Sequence, residues 1–139
     1  MPVTPESQAP TRAFARVIGP YLVIVTVSIS VRKPQISAFV PALFENPALV
    51  WFTGALLILA GLVIIAHHQY WSSLAAVLIS LLGWFLALRG LLLLAAPQLM
   101  VRAAEEAMTM MPVVWLAFGV FLLIGLWLTY VGWFEREPG

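Results

Sequence analysis

The chain has 139 residues, of which 63% are hydrophobic and 9% charged, with a formal net charge of +1. Soluble domains carry about a quarter charged residues and leave much of their area in water, so this composition excludes an ordinary soluble fold. Seven scattered cations make no basic patch, and nucleic acid is excluded as a partner.

The absence of cysteine removes disulfides, iron–sulfur ligation and thiolate chemistry. Residues 1–12, MPVTPESQAPTR, are polar and hold three prolines, which predicts a disordered, solvated tail. No cleavable signal is expected, because the first apolar run begins only after Arg16 and leads into further spans. Insertion through an uncleaved first helix follows from that reading.

The first span is predicted over residues 14–31, with Gly19-Pro20 as a kink or restart. Residues 25–31, VTVSISV, alternate as a strand would, but a lone strand in lipid leaves its backbone unpaired and a helix is expected. Thr26 and Ser30 stand one turn apart, placed for bonding back to the backbone or across to a neighbour. Arg32-Lys33-Pro34 ends the span. The following QISAFVPALF is too short and proline-broken to cross, and is expected in the headgroup region.

Asn46-Pro47 reads as an N-cap and first helical position, opening a second span over 48–66. Those residues rise roughly 28 Å, about one hydrocarbon core. Gly54, Gly61 and His68 are seven apart and share a face. The connection HHQYWSS carries Tyr70 and Trp71 as interfacial anchors, and its shortness makes the second and third helices antiparallel neighbours.

The third span, 73–96, carries small residues at Ser73, Ala76, Ser80, Gly83, Ala87 and Gly90. Steps of three and four put all six on one helical stripe, and in lipid such a stripe admits another helix closely. The expected partner is the second helix along Gly54 and Gly61. An amphipathic interfacial helix is predicted over 98–111, where Arg102 meets Glu105 or Glu106 at helical spacing. Pro112 opens the last span, 113–134, bracketed by Trp115 and Trp133.

The expectation is therefore an all-α, polytopic four-transmembrane-helix bundle forming one domain over 13–139, with short interfacial segments. Both termini fall on one side. Arg12, Arg16 and Arg136 on that side stand against Arg32, Lys33, Arg102 and Arg89 toward the other, which sets no orientation.

Between residues 46 and 97 stand Asn46-Pro47-Ala48-Leu49, His67 with Trp71, Gly83-Trp84, Arg89-Gly90 and Pro97. In that order they resemble a family of small bacterial four-span inner-membrane proteins with no established activity. The resemblance covers the middle third of the chain and implies a bacterial inner (plasma) membrane location and four-span topology. His68 departs from it, since asparagine usually follows the histidine.

Arg89 is the one charge inside a strongly apolar segment, eight residues before Pro97, on the order of 12 Å from that end. It is a candidate for an anion or lipid-headgroup site, or for an ion pair with Glu45, Glu105 or Glu106 on the same membrane side. His67 and His68 are the only histidines. Adjacent helical residues point about 100° apart, so the pair suits one metal ion poorly, and a haem with two histidine ligands would need a second chain. They are candidate ligands for haem or pigment. No metal site, cofactor or catalytic residue is expected, because no carboxylate lies inside a span and no phosphate loop, zinc-protease or nucleophile-elbow motif occurs.

The function expected from these features is non-enzymatic: an accessory or scaffold subunit, or a homo-oligomer, working through lateral helix contacts in the lipid bilayer. A small oligomeric transporter or channel using Arg89 is the alternative, and a haem or pigment carrier is a weaker one.

Overall fold

A computed structural model of the chain describes residues 5–135. Six α-helices follow in order: α1 (Pro5–Val31), α2 (Ile36–Glu45), α3 (Pro47–His67), α4 (Leu74–Ala95), α5 (Pro97–Thr109) and α6 (Met111–Trp133). A 3-10 turn at Lys33–Gln35 joins the first two, and no strand occurs among the described residues. The all-α reading holds, including VTVSISV, which is helical throughout. Four helices (α1 from Gln8, α3, α4 and α6) are long and apolar enough to cross a membrane.

The starts of α3 and α4 follow from their caps. Asn46 Oδ1 accepts from the Ala48 and Leu49 amides at 3.0 and 3.3 Å, and Ser73 Oγ accepts from the Ala76 amide at 3.2 Å. Each side chain satisfies amides that have no partner within the helix.

The long helices form two antiparallel pairs, α3 with α4 and α1 with α6, and the pairs meet along a narrower α1–α4 seam. Glycine sets the closeness of the first pair. A β-carbon added at Gly61 would lie 2.5 Å from the Ala87 amide nitrogen, and one at Gly90 would lie 2.7 Å from the Gly54 carbonyl. Backbone therefore lies against backbone, the arrangement small residues permit in lipid. The second pair uses the same device, with Gly132 against Arg16 and Gly19 against Thr129. The core at the seam comprises Ala15, Ile18, Ile64, Ala75, Ile79 and Leu128.

Helix α1 differs from expectation at its start. It begins at Pro5, so residues 5–12 are helical rather than a free tail, while residues 1–4 lie outside the described residues. Tertiary packing supplies the reason: Thr11, Ala15 and Ile18 are buried, and a helix with a buried face survives weak propensity. Pro20 neither ends nor restarts the helix. Lacking an N–H, it leaves the Arg16 carbonyl without its helical donor. Trp133 Nε1 donates to that carbonyl from α6 at 3.2 Å. Ser30 Oγ bonds back to the Thr26 carbonyl at 2.8 Å.

Helices α2 and α5 pack against each other and against the adjoining ends of α3, α4 and α6. Neither has a fully buried residue.

Candidate functional site

The buried polar atoms gather at the end of the fold where α3 turns into α4. His68 caps the end of α3 with non-helical torsions (φ −141°, ψ 88°), and its own amide donates to the Ile64 carbonyl at 2.7 Å. The turn swings the imidazole under α1, where it is 0% exposed. Its Nε2 lies 2.9 Å from Thr11 Oγ1 on α1, and its Nδ1 lies 3.2 Å from Ser80 Oγ on α4. Phe14 and Tyr70 pack edge-on to the ring, with centroids 5.5 and 5.4 Å away. Three elements that share no local sequence thus converge on one side chain.

Hydrogen-bond logic fixes the direction of these bonds. Ser80 Oγ also contacts the Tyr70 carbonyl at 3.0 Å and the His68 carbonyl at 3.3 Å, and a carbonyl can only accept. With the serine proton on a carbonyl, Ser80 Oγ accepts from His68 Nδ1–H. In the neutral ring Nε2 then accepts from Thr11. Burial holds the His68 pKa below the usual 6.5, partly offset by the backbone bond at its own residue. No buried side-chain polar atom among the described residues lacks a partner.

At the same end of the fold, arginines close α1 against the end of α6. Arg16 Nε donates to the Gly132 carbonyl at 2.7 Å, Arg12 Nε to the same oxygen at 3.4 Å, and Arg12 Nη2 to the Glu135 carbonyl. Two guanidinium groups thereby serve carbonyls that end a helix and complement its negative pole. Arg16 also lies over the Trp133 ring, 5.9 Å from its centroid.

The small residues of α4 divide between two tasks. Gly83 and Gly90 are buried against α3, where Gly54 and Gly61 are buried in turn, and Ala87 is half-buried beside Gly61. Ala76 is buried and Ser73 caps the helix, whereas Ser80 faces His68. His67 is exposed, its Nδ1 3.0 Å from the Val63 carbonyl. Adjacent histidines therefore occupy opposite environments. A metal or haem iron at His68 would have to displace Thr11 or Ser80.

Arg89 is exposed on α4, six residues before Ala95, about 9 Å of helical rise. Glu45 is exposed at the end of α2, and Glu105 and Glu106 are exposed on α5. Among the described residues, no hydrogen bond or ion pair joins Arg89 to any of the three.

Sequence reasoning missed Thr11, Arg12 and Arg16 as structural contacts. The signal was present: Thr11, Ala15, Ile18 and Leu22 recur at helical spacing, and Arg12 and Arg16 are one turn apart.

Four apolar helices with hydrocarbon-rich outer faces fit a multi-pass integral membrane protein. No family model matches the chain, and neither a curated protein nor a solved structure matches it.

Proposed function

We propose that this is a non-enzymatic membrane protein that works by lateral helix–helix contact, as an accessory or scaffold subunit or as a homo-oligomer. The observation that carries the reading is the one-sided packing of α6. That helix packs mainly on α1, while Leu116, Gly119, Val120, Leu123 and Trp127 on its surface are exposed. A β-carbon at Gly119 would meet nothing within 4 Å. Gly19, Gly54, Gly61, Gly83, Gly90, Gly125 and Gly132 already receive a neighbour within the chain, and Gly119 offers the same kind of approach to a helix from outside. The bacterial inner membrane, implied by the resemblance at residues 46–97, is the location we assign to this activity.

The chain has no cysteine, so a single Gly119→Cys variant gives a clean cross-linking probe in native membranes. A cross-linked homodimer or a discrete heavier adduct supports lateral contact at α6. A Gly119→Cys chain that labels fully with a lipid-soluble maleimide and yields only the monomer on oxidation contradicts it.

A further inference from the structure

The region where α1 gives way to α2 lies beside the beginning of α6. Lys33 opens the 3-10 turn, and its ammonium nitrogen sits 4.3 Å from the centroid of the Trp115 ring. Ile36 and Ser37 begin α2, while Met111 and Pro112 begin α6. With Lys33 and Trp115, these residues line an open cavity of about 500 Å³. That volume lies within the roughly 300–1,000 Å³ of small-ligand sites and well above the need of a bare inorganic anion.

The chemistry of the lining is divided. Lys33 and Ser37 supply the polar side chains, and Ile36, Met111, Pro112 and the indole supply hydrocarbon. An ammonium over an indole face still has N–H groups directed away from the ring. No carboxylate lines the cavity, and the neighbouring Arg32 adds a second exposed cation. Val31 and Met111 are ends of two helices long and apolar enough to cross a membrane, so the cavity opens where headgroups would meet acyl chains.

We infer that this cavity binds the phosphodiester of an anionic glycerophospholipid, Lys33 and Ser37 holding the phosphate and Ile36, Met111 and Pro112 receiving the upper acyl chain. The charge of the rim selects an anionic lipid, as basic pockets at membrane surfaces do. The apolar wall and the volume select a lipid over free phosphate. This site is separate from Arg89 and from the α6 face described above.

The test is native mass spectrometry of the full chain in mild detergent, titrated with short-chain phosphatidylglycerol, phosphatidylcholine or inorganic phosphate. The phosphatidylglycerol adduct should form in preference to the phosphatidylcholine adduct and survive excess inorganic phosphate. Lys33→Gln should weaken it about fivefold, the weight of one lysine near an anionic surface. Arg102→Gln, which removes an exposed cation on α5, should leave it unchanged. Quenching of Trp115 by a brominated phosphatidylglycerol, read as the difference from Trp115→Phe, should fall in the Lys33 variant. Equal binding of the two lipids, full competition by inorganic phosphate, or a Lys33→Gln chain that retains both adduct and quenching overturns the proposal.

Discussion

His68 on the α3–α4 turn and Thr11 on α1 are joined by a 2.9 Å contact across 57 positions of sequence. It ties the start of the chain to a hairpin that the small residues have already closed, in a place where water does not enter. Thr11→Val keeps the shape and removes the hydroxyl, leaving His68 Nε2 buried without a donor. A loss of about 1–3 kcal/mol is expected for an unsatisfied buried polar atom, measured by denaturant unfolding in mixed micelles. An unchanged midpoint would mean that the contact contributes nothing.

The same histidine gives the fold a pH dependence. Its folded pKa is depressed, so the unfolded chain binds the extra proton more readily than the folded one. The stabilisation is fully present above the usual 6.5 and is lost as pH falls from there through the lower folded value. Protonation also places a second N–H on a ring whose Nε2 accepts from Thr11. Among the described residues, the groups packed on the ring (Thr11 and Phe14 on α1, Ser80 on α4 and Tyr70 in the turn) carry no negative charge, and His67 is exposed. Thermal midpoints in detergent should fall on acidification below about pH 6.5 and should flatten in His68→Asn, which cannot titrate. A His68→Asn protein with the wild-type acid slope would assign that slope to another group.

The α3–α4 pair makes a graded prediction. At Gly61 an added β-carbon meets backbone, 2.5 Å from the Ala87 nitrogen and 2.7 Å from the Gly83 carbonyl. At Gly83 its nearest neighbours are side-chain atoms, Ile64 Cγ2 at 2.7 Å and Cβ at 3.0 Å, so a small shift of that residue relieves the contact without backbone meeting backbone. Gly61→Ala should therefore destabilise more than Gly83→Ala, by about 1–3 kcal/mol for overpacking. Gly83→Leu, too large for Ile64 to avoid, should loosen the pair or abolish accumulation. Melting curves for the three variants decide the order, and a Gly83→Leu protein as heat-stable as wild type would disprove the close approach.

Much of this pair was legible in the sequence. Gly54, Gly61 and His68 repeat at seven, and all three are buried, the glycines against α4 and His68 under α1. The α1–α6 pair was not legible, for a physical reason. Its glycines are spread over two helices separated by most of the chain, and a polar, proline-containing start suggests no helix until a partner supplies a buried face for Thr11 and Ala15. The fate of His68 was half legible. Its helical face could be read, but its two hydroxyl partners come from distant segments and only the fold brings them together.

Trp133 and Pro20 should behave as a coupled pair. Trp133 Nε1 serves the Arg16 carbonyl that Pro20 leaves unpaired. Trp133→Phe should cost up to about 1 kcal/mol in the wild-type background. In Pro20→Ala, where the new amide reaches the same carbonyl, the cost should shrink. A double-mutant cycle on unfolding free energy measures this, and strict additivity would show that the indole bond and the proline are independent.

The most direct measurement of the central claim, four helices crossing the bilayer as two antiparallel pairs, is the sidedness of single cysteines in sealed vesicles. Gln8, Gln69 and Gln98 are exposed, respectively at the start of α1, in the α3–α4 turn and at the start of α5. Replaced one at a time by cysteine and treated with a membrane-impermeant maleimide, residues 8 and 69 should label from one face and residue 98 only from the other. Labelling of residues 69 and 98 from the same face would contradict the account.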